Sequence, residues 1–221
     1  MPVQLLNMPV QLLILALVFS AGVYADESGS AQITVVDQNG TPLRGMVVEV
    51  VGPDSAQSNN EPAIMKQIDQ QFVPHILAVQ QGTHVIFPDT DNVRHHVYSF
   101  SSAKTFEIAI GQQSIPREIH FDKPGIAELG CNIHDWMLGY IYIAQSVWFM
   151  QTNDSGQARF RNIPTGQHHI KIWHPRLNNT DVQILHPLNI SDQQAALTIG
   201  LTEPLAPSYA EFDEVEGIGN Y

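Results

Sequence analysis

The run Cys131-Asn132-Ile133-His134-Asp135-Trp136-Met137 sets a thiolate, an imidazole and a thioether three residues apart in one short segment. Two imidazoles and a thiolate in trigonal array, with a weak thioether on the axis, serve copper in both of its common oxidation states. Such a set needs one more imidazole. The segment Asp91-Asn92-Val93-Arg94-His95-His96-Val97-Tyr98 offers two candidates, His95 and His96, at the start of a β-rich run. Cys131 is the only cysteine, so it has no disulfide partner within the chain. A lone buried thiol is ordinarily inert packing, but here the spacing, order and strand context of the other donors agree on a metal.

Two other chemistries fit less well. Cys131 and His134 as nucleophile and base lack a third group to orient the imidazole, so no enzymatic activity is expected. Zinc gives Met137 no role. The remaining histidines His168, His169, His174 and His186 have no ligand-like spacing and read as turn or face residues.

Positioning the donors falls to β-strands. No stretch keeps a helical period, whereas short β-rich runs bounded by Gly, Pro, Asn and Asp recur at the spacing of a sandwich or barrel. The fold class is all-β. Residues 33–36 and 46–51 flank Asp37-Gln38-Asn39-Gly40, which predicts a hairpin because Asn-Gly accepts positive φ. Further strands are expected at 76–79, 83–87, 96–100, 114–121, 126–130 and 138–143, the fifth of these leading into Cys131. Beyond Ser146, turns at 152–156 and 163–166 surround strands at 157–161 and 168–173, and a last pair covers 182–190 and 195–201.

Residues 61–143 resemble the cupredoxins, specifically the plastocyanin and amicyanin group. Val85-Ile86-Phe87-Pro88-Asp89 followed by His95-His96-Val97 is similar to the family's first ligand segment, and Cys131, His134 and Met137 match its Cys-x₂-His-x₂-Met loop one for one. The resemblance implies a Greek-key β-sandwich holding one type 1 copper ion on His95, Cys131, His134 and Met137. His96 stands where the family usually has Asn, and Asn132 where it has Ser or Thr, so these two lie beside the metal or, for His96, replace a ligand. The implied role is single-electron transfer between redox proteins such as a c-type cytochrome or a dehydrogenase, with Trp136 and Leu138 as an apolar docking rim around His134. A non-redox copper-binding or copper-delivery protein, or a surface binding module with a structural metal, is the alternative.

The flanks resemble two halves of a carboxypeptidase-regulatory or transthyretin-like β-sandwich, immunoglobulin/prealbumin-like in architecture. The expected organisation is a discontinuous sandwich from 31–55 and 146–202, with a cupredoxin domain at 60–144 inserted into it. The chain of 221 residues is 43% hydrophobic, enough for a sizeable core. Its formal charge of −12 excludes a nucleic-acid ligand, which needs a basic face. Residues 1–25 carry no charged side chain, and the apolar run at 12–19 is too short to span a bilayer. With Val23-Tyr24-Ala25 before Asp26 they read as a signal peptide, in preference to an uncleaved anchor, giving an exported, periplasmic chain with no membrane span after cleavage. Residues 203–221 read as a solvated acidic tail.

Overall fold

A computed structural model describes residues 28–52, 61–88, 91, 93–111, 115–178, 184–191 and 194–207. The expected signal peptide and most of the acidic tail lie outside them. Every regular element among the described residues is a strand, so the fold is all-β. In chain order these are β1 (Ser28–Val36), β2 (Val47–Val51), β3 (Ala63–Ile64), β4 (Lys66–Ile68), β5 (Gln71–Val73) and β6 (Ile76–Gln80). Then come β7 (Thr83–Phe87), β8 (His95–Ser101), β9 (Lys104–Ile110), β10 (Arg117–Phe121), β11 (Gly125–Cys131) and β12 (Leu138–Ala144). The last are β13 (Phe149–Gln151), β14 (Gln157–Pro164), β15 (Gly166–Trp173), β16 (Ile184–Ile190) and β17 (Gln194–Gly200). No helix among the described residues is long and apolar enough to cross a membrane.

Two pairs of sheets close on two separate cores. The sheet β6-β12-β11-β8-β9 faces β10-β7-β3 across a cluster that includes Val85, Phe87, Val97, Phe121, Leu129, Cys131, Met137 and Ile141. The sheet β14-β1-β17 faces β13-β2-β15-β16 across a second cluster drawn from residues 31–50 and 158–201. Alternation explains both. In β1 the apolar Ala31, Ile33 and Val35 point inward and polar residues outward, the period that a strand with one wet face requires.

The expected hairpin between 33–36 and 46–51 does not pair. Its turn forms: Gly40 takes φ of 82° and donates to Asp37 O, and the Asp37 carboxylate accepts from the amides of Asn39 and Thr41. Pairing then stops at a single bridge between Val36 and Pro42, and β2 continues in the opposite sheet, against β13 and β15. The physical reason is that Val48 and Val50 bury themselves by facing Ile33 and Val35 across the core. Side by side in one sheet, these residues would share a face without covering it.

β2 and β12 are covered on both faces. Val47, Ile76, Tyr142, Ala144 and Trp173 form a third apolar cluster where the two sandwiches meet. At its heart Glu49, 1% exposed, accepts from the Tyr142 hydroxyl at 2.7 Å and from the amides of Gln145 and Ser146 at 2.7 and 2.8 Å. Burial and the Glu49 charge hold the Tyr142 hydroxyl well above the ordinary phenol range, so it stays a donor.

Candidate metal centre

The two-residue period of β8 decides which histidine faces inward. His95 and Val97 are buried, while His96 is partly exposed and its Nε2 lies 3.2 Å from Glu107 on the outer face. Strand β11 alternates in the same way, with Ala127, Leu129 and Cys131 inside. Cys131 pairs with Val97, so the thiol and the His95 imidazole share one face two residues apart.

Between β11 and β12 the chain turns in residues 132–137. The Asn132 amide donates to His96 O at 3.0 Å and carries the β8–β11 pairing one residue past Cys131. That is the contribution of Asn132, whose side chain is exposed. The Met137 amide donates to His134 O at 3.0 Å, a turn that returns Met137 to the core at 2% exposure. His134 is left half-buried at the surface.

Three donors converge. Nδ1 of His95 lies 3.7 Å from Cys131 Sγ, and Nδ1 of His134 lies 3.8 Å from the same sulfur. One donor atom from each of the three residues falls within 4.8 Å of the others, the only such group among the described residues. With metal–N and metal–S bonds of about 2.05 and 2.3 Å, an angle of 120° sets N and S about 3.8 Å apart and a tetrahedral angle about 3.6 Å. The observed separations sit at the trigonal end. Two imidazole nitrogens and a thiolate in this arrangement fit a copper ion, and Met137, buried at the end of the same loop, carries a softer thioether.

Asp91 orients the buried imidazole. Its carboxylate Oδ2 lies 3.1 Å from His95 Nε2 and also accepts from the Gln70 amide at 2.9 Å. With Nε2–H donating to Asp91, Nδ1 carries the lone pair and faces Cys131. Gln70 sits in the β4–β5 turn at φ of 61°, so a distant hairpin anchors the carboxylate that sets the tautomer. Asp91 stands in the same segment as His95, yet neither it nor Gln70 carries a recognisable signal in the sequence. Four residues on a loop say little about which side chain turns back onto which ring.

The loop around His134 exposes both apolar and polar side chains. Trp136 is 68% exposed with its ring 5.4 Å from that of His134, and Ile133, Asn132 and Asp135 on the same loop are exposed as well. Leu138, the other expected rim residue, is half-buried at the start of β12. Among the histidines read as turn or face residues, His168 is a correction: it is 2% exposed, with Nε2 2.7 Å from Pro164 O and its ring against Gly52. Its neighbour His169 points to solvent, as the strand period demands.

No family model matches this chain, and no curated protein matches it. Part of it is similar to solved structures of cupredoxins. A purple cupredoxin from Nitrosopumilus maritimus is 20% identical over 37% of this chain and 98% of its own, with a TM-score of 0.33. A reduced amicyanin variant is 12% identical over 43% of this chain and 98% of its own, at 0.34. A pseudoazurin from Sinorhizobium is 19% identical over 39% of this chain and 76% of its own, at 0.33. Each aligns over less than half of this chain.

Proposed function

We propose that this chain is a type 1 copper protein that carries single electrons between redox proteins in an exported, periplasmic setting. One observation carries the reading: two Nδ1 atoms stand 3.7 and 3.8 Å from Cys131 Sγ, with Met137 on the same loop. Bound copper supplies a one-electron change between its two oxidation states. His95, Cys131 and Met137 are all buried in a β-core, which holds their geometry nearly constant whatever the charge at the centre. Asp91 keeps His95 in the ligating tautomer. His134 alone reaches the surface, and its exposed edge within the Trp136 and Ile133 rim is where a partner can approach closely and exclude water.

The formal charge of −12 favours a partner with a basic docking face, such as a c-type cytochrome, or a dehydrogenase with such a patch. The flanking sandwich, similar in its turns to carboxypeptidase-regulatory modules, serves as a rigid base for the centre.

The test is spectroscopic. Copper-loaded protein is expected to show an intense thiolate-to-copper band in the visible and a small parallel hyperfine splitting in electron paramagnetic resonance, both abolished by reduction and restored by oxidation. A colourless copper complex, or a colour that survives Cys131→Ala, overturns the reading. Stopped-flow exchange with a soluble c-type cytochrome, slowing as salt is raised, would separate electron transfer from copper delivery.

A further inference from the structure

Strands β7 and β10 pair antiparallel, with His84 directly opposite His120. Directly opposed residues hold their Cβ atoms about 5 Å apart, close enough for two imidazoles to reach one ion. The two rings already lie together, 4.5 Å between centroids and 22° from parallel. Glu118, two residues before His120 and on the same outer face, places Oε1 2.8 Å from His84 Nδ1. Beneath them Val85, Phe87 and Phe121 are fully buried, so the pair stands on a rigid stretch of sheet.

We propose that His84 and His120 form a second, surface metal site for a divalent transition ion, with Glu118 as its orienting residue. The carboxylate accepts from His84 Nδ1–H, which leaves Nε2 as the lone-pair nitrogen free to ligate. Two nitrogens on one ion stand about 3 to 3.5 Å apart at bond lengths near 2.1 Å. A tilt of two exposed rings reaches that separation from a 4.5 Å stack. Imidazole donors without sulfur suit Zn²⁺, Ni²⁺ and Cu²⁺, and the remaining coordination positions open to solvent, where water or a donor from another molecule completes the shell. The site lies on the β10-β7-β3 sheet, not on the strands that carry Cys131, and is independent of the role assigned to that centre.

Zn²⁺ is the probe, titrated calorimetrically into the full chain and into His84→Ala, His120→Ala, Glu118→Gln and the exposed control His169→Ala. The parent and the control are expected to bind one equivalent more than either His84→Ala or His120→Ala, because losing one arm of a chelate weakens it about a hundredfold. Glu118→Gln is expected to keep the equivalent with about tenfold weaker affinity. Ni²⁺ added at a fraction of an equivalent should broaden the imidazole resonances of His84 and His120 together. Equal Zn²⁺ stoichiometry and affinity in the parent and both alanine variants overturns the site, as does Ni²⁺ broadening spread evenly over all exposed histidines. All the substituted side chains are on outer faces, and unchanged circular dichroism and urea midpoints confirm that the variants fold.

Discussion

Asp91 shows how one side chain outside the candidate ligand set orients a member of it. Its carboxylate bonds His95 Nε2 and thereby leaves Nδ1 to face Cys131 Sγ. Removing such a partner typically costs about 10- to 100-fold in metal affinity. Asp91→Ala is therefore expected to weaken copper binding by that factor in competition titrations, and to show the Nδ1–H tautomer of His95 in the nitrogen-15 spectrum of the metal-free protein. An unchanged tautomer would refute the role assigned to Asp91. His96→Ala, which removes an outward imidazole paired with Glu107, should change affinity less than threefold in the same assay. Much of this scale was legible: the types and spacing of Cys131, His134 and Met137 state their chemistry, and a two-residue period divides His95 from His96 once the strand start is known. Asp91 was not, because its partner ring turns back across a loop.

Among the elements, β12 is the one on which both sandwiches depend. Its inner face carries Gly139, where a Cβ would stand 2.7 Å from Phe72 Cβ and 2.8 Å from the Phe72 ring. A methyl there must displace β5, since the closest contact is not the free end of a side chain. Overpacking of this kind costs about 1–3 kcal/mol. Gly139→Ala is expected to lower the urea unfolding free energy by that amount. It should also weaken metal binding, because β5 is joined to the turn whose Gln70 amide holds Asp91. A loss of stability with unaltered affinity would show that the hairpin does not transmit to the centre. Strands β9, β13 and β3 to β5 were not anticipated from the sequence. Residues 104–110 do alternate, Phe106 and Ile108 with Thr105 and Glu107, but no Gly or Pro sets off their start. β3, β4 and β5 are two or three residues long, too short for any period to register.

For the whole molecule, the contact between the sandwiches decides stability. Glu49 accepts three hydrogen bonds, buried ones from residues 142 and 146 and a partly buried one from 145, and all three donors lose their acceptor in Glu49→Leu. Stranding buried donors of this kind costs about 3 kcal/mol or more in total. The variant should unfold at distinctly lower urea, and if the junction couples the two cores it should do so in two steps instead of one. Acidity acts on the same region. His174, next to Trp173, is held down to about pKa 4 by burial first and then by the charges of Arg176 and His75, and burial also lowers His75. Between pH 6.5 and about 4 the unfolded chain binds a proton at His174 that the folded chain refuses, so stability rises with pH across that window. It is complete above 6.5 and lost progressively as pH falls towards 4. Urea midpoints measured from pH 7.5 to 4 should decline, and His174→Gln should flatten the decline; an equal slope in the variant would place the titration elsewhere.

From its sequence alone, this chain's all-β class, most strand positions and the donor types of its candidate metal site are legible, because each depends on local period, turn chemistry or the softness of a side chain. Which faces meet is another matter. That β2 leaves β1 for the opposite sheet, that Glu49 joins β2 to β12, that Asp91 turns onto His95 and that His84 stacks on His120 all join residues far apart in the chain or across a loop. Only closing the two cores fixes those meetings, since burying apolar faces selects one arrangement from many that the same local preferences allow.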